Sequence, residues 1–181
     1  MGHLEMINVL HTIDSKNPGG AESIFIELFK RLDKGKFNSY AAVEKSGWSE
    51  SRLKKLNYRP LILESQGAFN IKYLLKILKI IKNYNIDIIQ SHLFGSNVYC
   101  SIAGFIWNIP VISTFHGYVD IDDNDKLLRC KFAMINRGSK RIIFVSEHLK
   151  NYYLQNTNVR KNKTLTIYNG IDTNHYIRKK N

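Results

Sequence analysis

The sequence has 181 residues, with 27 Lys and Arg against 15 Asp and Glu, a formal charge of +12. The length suits one domain, and 44% hydrophobic with 23% charged residues excludes disorder throughout. Two cysteines exclude a disulfide scaffold and a four-cysteine zinc site, and no apolar run reaches the roughly 20 residues that span a bilayer.

Residues 1–5 read as a vector scar, with the natural start at Met6. No signal peptide precedes the first strand-like run, so the expected compartment is the cytoplasm. Residues 7–13 form a short apolar strand. A polar turn with Pro18, Gly19 and Gly20 follows, and residues 21–32 carry helical spacing through Ile24, Phe25, Leu28 and Leu32. Residues 40–43 read as a strand, 51–57 as a short helix and 60–63 as a strand. Residues 71–84 form an amphipathic helix, and 86–90 a strand apolar enough for burial on both faces. Residues 97–107 form a helix whose Ser101, Ala103 and Gly104 allow close packing on a sheet. A strand at 111–115, an acidic loop at 120–125 and a helix at 126–136 come next, with Gly138 as the residue just past the helix end. A strand at 141–145, a helix at 147–154 and a strand at 165–168 complete the pattern. Cys100 and Cys130 lie among apolar neighbours and are expected as buried free thiols.

This alternation predicts an α/β, Rossmann-like three-layer domain: a mostly parallel sheet of about seven strands with helices on both faces. The domain covers residues 6–176, and residues 177–181 form a basic tail.

Basic residues are spread along the chain, without zinc-finger spacing, an RNP-like strand or a basic zipper, so no nucleic-acid partner is expected. The clearest stripe is Lys72, Lys76, Lys79 and Lys82, within about 120° of one helix face, with Leu74, Ile77, Leu78 and Ile81 opposite. It reads either as a solvated face or as a surface attracted to anionic lipid, which would place the protein at the inner face of the membrane.

In open α/β sheets ligands bind beyond the carboxyl ends of the strands. The turns there hold Gly19 and Gly20, His92, His116 and Gly117, Ser146 and Glu147, and Asn169, Gly170 and Asp172. Two glycines before a helix allow a ligand close to the backbone, where free N–H groups attract an anion. A histidine at such an edge can hydrogen-bond a sugar hydroxyl or stabilise developing charge. Each also has a purely structural reading, as a turn or a satisfied core histidine. A dinucleotide G-x-G-x-x-G, a P-loop, a G-x-S-x-G elbow and an H-E-x-x-H motif are absent. Asp120, Asp122 and Asn124 begin like a calcium loop, but the sixth position is Asp125 and the twelfth Lys131, so no metal site is expected.

Together these turns resemble the N-terminal domain of the family 4 glycosyltransferases, of GT-B architecture. The resemblance rests on Val9-Leu10-His11 leading into Pro18-Gly19-Gly20-Ala21-Glu22, on Asp87-Ile88-Ile89-Gln90-Ser91-His92 and on Pro110-Val111-Ile112-Ser113-Thr114-Phe115-His116-Gly117. It continues through Ile143-Phe144-Val145-Ser146-Glu147 and Ile167-Tyr168-Asn169-Gly170-Ile171-Asp172. It implies retaining transfer of a sugar from a nucleotide-sugar to a glycan or lipid-linked acceptor, with this domain on the acceptor side. His116 would be the catalytic contact to the donor sugar. Gly19 and Gly20 would approach the donor diphosphate or the acceptor; His92, Gly117, Ser146 and Glu147 would complete the binding edge; Asn169, Gly170 and Asp172 would lead into a second domain. No cofactor or metal is implied, since helix dipoles and basic side chains stabilise the leaving diphosphate. The family's second domain supplies a basic pair and two glutamates separated by seven residues. The glutamates here, Glu5, Glu22, Glu27, Glu44, Glu50, Glu64 and Glu147, show no such spacing. The expectation is a domain lacking its donor-binding half and inactive alone, or alternatively a non-catalytic half completed by a partner chain.

Overall fold

The computed structural model describes residues 6–15, 17–44, 47–64, 70–118 and 125–170. Seven strands form one parallel sheet in the order β3-β2-β1-β4-β5-β6-β7. They are β1 (Ile7–Ile13), β2 (Phe37–Val43), β3 (Leu61–Ile62), β4 (Ile88–His92), β5 (Val111–Phe115), β6 (Ser139–Phe144) and β7 (Thr164–Thr166). Six helices alternate with them: α1 (Gly20–Arg31), α2 (Trp48–Lys55), α3 (Ile71–Asn83), α4 (Phe94–Trp107), α5 (Leu128–Gly138) and α6 (Glu147–Asn156). A single 3-10 turn, Lys161–Lys163, precedes β7.

The strand order reverses between β1 and β4, and right-handed crossovers then send helices to opposite faces. On one face Ile13, Ala41 and Val43 pack under Phe25, Ile26 and Phe29 of α1 and Leu53 of α2. On the other, Leu10, Ala42, Ile89 and Val111 meet α3 and α4, while Phe115, Ile142 and Phe144 meet α5 and α6 through Phe132, Ile135, Leu149 and Tyr153. The predicted three layers are present but unequal. Two helices cover β1–β3 on the first face, so β4 buries one side fully while Ile88 and Gln90 stay half-buried. Burial of that strand on both faces is therefore not met.

Helix α4 sits close to the sheet, as its small residues predict. A Cβ on Gly104 would lie 2.8 Å from the Ile109 carbonyl oxygen. A Cβ on Gly138 would run into the Ser101 backbone. Gly138 is thus the last residue of α5, kept small for contact with α4, and not the left-handed residue past the helix end. Lys163 closes that end, its Nζ donating to the Asn136 and Ser139 carbonyls at 2.5 and 2.7 Å. Cys100 is buried, and the expectation of a second buried thiol is corrected: Cys130 is exposed. It lies between Arg129 and Lys131, while the apolar residue of that turn, Phe132, points to the core.

Candidate active site

The reversal of strand order opens a crevice at the carboxyl edge of the sheet, where β1, β4 and β5 end side by side. Three observations converge there.

The first is the start of α1. Gly19 is its N-cap, extended at φ −163°, and no side chain caps the helix. The first-turn N–H groups are therefore left for another acceptor. α3 and α6 carry side-chain caps from Asn70 and Ser146, whereas α2 and α5, like α1, have none. A Cβ on Gly19 would lie 2.6 Å from Oε2 of Glu22, whereas one on Gly20 would meet nothing within 4 Å. Gly19 makes room for Glu22; Gly20 leaves open space in front of the helix.

The second is a histidine pair. His92 ends β4 and His116 follows β5, and the register places them on neighbouring strands. Nδ1 of His92 lies 2.8 Å from Nε2 of His116, with the rings stacked at 5.1 Å and 25°. His92 is 1% exposed and meets Phe25 edge-on at 5.6 Å. Burial pushes His116 down to about 4, with the nearby Glu22 pulling the other way. Burial, helped by His116 and His11, holds His92 well below its ordinary value. Both imidazoles are neutral at pH 7.

The third is Glu22, 6% exposed. Among the described residues no hydrogen bond is made to its side chain. A carboxylate so placed awaits a hydroxyl or N–H from elsewhere. Its sequence position, in the first turn of a helix, reads as an ordinary dipole partner, and only its burial marks it as part of the site.

His11 lies two residues before the end of β1 on the α1 side of the sheet. It is fully buried, edge-on to Phe29 at 5.2 Å. Neither ring nitrogen has a hydrogen-bond partner, and burial pushes it down to about 4. Asp14, just past β1, joins that strand's end to α4: it accepts the Ser96 N–H at 2.9 Å, and a Cβ on Gly95 would collide with it. Sequence reading places neither residue in the site.

The remaining predicted residues are dispersed. The Gly117 carbonyl accepts from the Tyr153 hydroxyl at 2.9 Å. Ser146 accepts the Leu149 N–H at 3.1 Å, and Glu147 pairs with Lys150 at 2.7 Å, so both serve the start of α6. Asn169 and Gly170 are exposed beyond β7. Asp172 lies outside the described residues, as do residues 1–5, 177–181 and most of the acidic loop. Among the described residues no group of three His, Cys, Asp or Glu is placed to hold a metal ion, and no helix is long and apolar enough to cross a membrane.

A neutral imidazole, a buried carboxylate and an uncapped helix start suit a polar ligand with an anionic part. The chain is 27% identical over 177 residues to the capsular polysaccharide biosynthesis glycosyltransferase CapH of Staphylococcus aureus, covering 92% of this chain and 48% of that protein. It thus spans about half the length of the curated relative it matches. Anabaena HepE, solved with UDP and glucose, superposes with a TM-score of 0.77 at 23% identity, over 93% of this chain and 46% of that one. UDP-N-acetylglucosamine 2-epimerase from Rickettsia bellii shares the fold at a TM-score of 0.60 and 13% identity, over 90% of this chain and 44% of that one. Shape alone therefore does not separate transfer from epimerisation. The model of Glycosyltransferase Family 4 matches residues 18–175, from the glycine turn to beyond β7, and the chain belongs to that family.

Proposed function

We propose that this chain is the acceptor-side domain of a retaining glycosyltransferase. It would move a sugar from a nucleotide-sugar to a glycan or lipid-linked acceptor in surface polysaccharide synthesis. The carrying observation is the convergence of His116, Glu22 and the open Gly19–Gly20 helix start at the strand-order reversal, in a chain of this family. The polysaccharide context follows the name of CapH, and the nucleotide-sugar the ligands of HepE.

In this reading His116 contacts the donor sugar near the reacting centre and Glu22 accepts a ligand hydroxyl. Gly19 and Gly20 let the donor diphosphate or the acceptor approach the first-turn N–H groups of α1. Gly117, Ser146 and Glu147 shape the rim, and Asn169, Gly170 and Asp172 lead toward a second, donor-gripping domain, without which this domain does not turn over. A donor touched on one side only would lack the enclosure that small-ligand sites need.

The test is nucleotide release from UDP-sugars by the complete gene product and by this chain alone. Acceptor-dependent release by the complete protein, with none from the 181 residues, is expected. Turnover by this chain alone, or epimerisation without transfer, contradicts the reading.

The acceptor side also has a membrane reading. On α3, Ile71 and Leu75 are 69% and 56% exposed. They interleave with Lys72, Lys79 and Lys82, while Lys76 is tied to Glu64 at 3.0 Å. Exposed apolar residues among lysines suit an anionic lipid interface, where each cation near the surface adds about 1 kcal/mol.

A further inference from the structure

We infer that a gap beside β2, toward the amino edge of the sheet and away from the crevice, binds a sugar ring carrying a carboxylate. β2 has seven residues, but β3 pairs with only Ala42 and Val43. The chain ahead of β3 turns away: Asn57 takes a left-handed φ of 63°, and Pro60 has no N–H to pair. Between β2 and residues 57–61 this leaves a cavity of about 260 Å³, room for a single sugar ring.

The floor of the gap is main chain. Leu63 donates to the Val43 carbonyl, and backbone groups along a strand alternate in direction, so Ser39 points its N–H and C=O to the same side. Among the described residues no backbone bond reaches Ser39 from residues 57–60. Tyrosines wall the gap on both faces of the sheet. On the α1 side Phe29 holds Tyr58 edge-on at 4.5 Å. On the α3 side Tyr84, 36% exposed, leans on Tyr40 at 4.8 Å. Among the described residues none of the three tyrosine hydroxyls makes a hydrogen bond. Rings beside a floor of N–H, C=O and hydroxyl groups suit a ligand with an apolar face and a rim of hydroxyls, which is a sugar.

Charge narrows the class. Arg59 is exposed and makes no ion pair among the described residues. Lys34 Nζ lies 5.5 Å over the Tyr58 ring, and no Asp or Glu lines the gap. One unpaired guanidinium fits a carboxylate fork to fork. An added peptide strand fits less well, because residues 57–61 already stand on the flank it would need.

The inference does not rest on the transferase reading and is tested on this chain without turnover. Amide NMR titrations use sodium glucuronate, glucose and sodium acetate. Glucuronate is expected to shift Ser39, Tyr40, Ala41 and Arg59 saturably, with about millimolar affinity. Glucose and acetate should each bind about tenfold more weakly, since each lacks half of the recognition. Arg59→Gln, at an exposed position, should bring glucuronate down to the glucose level, and Tyr84→Ala should weaken both sugars alike. Acetate binding as tightly as glucuronate would reduce the gap to an anion-attracting surface, and glucose binding as tightly would leave Arg59 without a role; either overturns the proposal. So do shifts confined to the His92–His116 crevice, the absence of saturable shifts, or unchanged glucuronate binding in Arg59→Gln. Should Tyr84→Ala lose its native spectrum, Arg59→Gln decides.

Discussion

Leu93, between His92 and α4, has φ 71° and ψ 162°, a region of backbone space that belongs to glycine. The strain, about 1–3 kcal/mol, is held by packing of the Leu93 side chain against the Ile13–Phe25–Phe29 cluster and by its N–H donating to the Thr114 carbonyl at 3.1 Å. Leu93→Ala loses the packing and keeps the strain, whereas Leu93→Gly loses the packing and relieves it. Glycine is therefore expected to be the more stable by about 1 kcal/mol, the reverse of the usual order; chemical denaturation of both variants checks this. His11 makes a second residue-level prediction. Its folded-state value of about 4 lies below the ordinary 6.5, so the unfolded chain binds more protons and stability falls as pH drops from about 6.5 to about 4. His11→Leu removes two unpaired buried nitrogens and should flatten the slope of stability against pH by about 1.4 kcal/mol per pH unit in that window. An unchanged slope would show that His11 does not carry it. At the glycine turn, Gly20→Val should leave the melting temperature unchanged, because the space is open, yet raise KM for donor or acceptor in the complete protein. Unchanged KM for both would reduce Gly20 to a turn residue. The position of the glycines and His116 at the carboxyl edge of the sheet was legible in the sequence, because each directly follows a strand-like run or precedes a helix. The buried states of Glu22 and His11 were not, because both depend on α1 folding back over β1.

At the scale of elements, every predicted helix and strand is present, and the errors are at the edges. Helix α4 begins at Phe94, not at residue 97, because the strained turn at Leu93 and the Asp14 carboxylate start it early. The 3-10 turn before β7 carries no periodic signal. Close packing of α4 against α5 and the sheet rests on its small residues and on hydroxyl contacts: Ser101 and Ser113 each lie 2.8 Å from the Ser139 hydroxyl. Gly138→Ala pushes a methyl into the Ser101 backbone, which cannot swing aside as a side-chain tip can. A loss of about 2 kcal/mol or more is expected on denaturation, against no loss for Gly20→Ala, whose methyl meets nothing within 4 Å. On α3, reversing Lys72, Lys79 and Lys82 to Glu should abolish co-sedimentation with anionic vesicles and leave neutral vesicles unaffected. Equal binding before and after reversal would make this a solvated face.

For the whole molecule, alternation of strand and helix dictated the parallel sheet, and right-handed crossovers its layering. What alternation does not encode is how far each layer extends. Two crossovers to one side and four to the other leave Ile112 and Ile143 half-buried and Leu165 45% exposed on the face that α1 and α2 do not reach. The same topology assembles the site, since only the reversal between β1 and β4 brings the glycine turn, Glu22 and His116 to one crevice, residues that stand 94 apart from Glu22 to His116 in the chain. In the proposed reading, sugar is transferred in this crevice. The most direct measurement is steady-state turnover of a nucleotide-sugar by the complete gene product, wild type against His116→Ala. A fall in kcat of about 100-fold or more, with KM for the nucleotide-sugar within about threefold, is expected from loss of a group at the reacting centre. Near-normal kcat in a folded His116→Ala protein would contradict it and place the chemistry elsewhere.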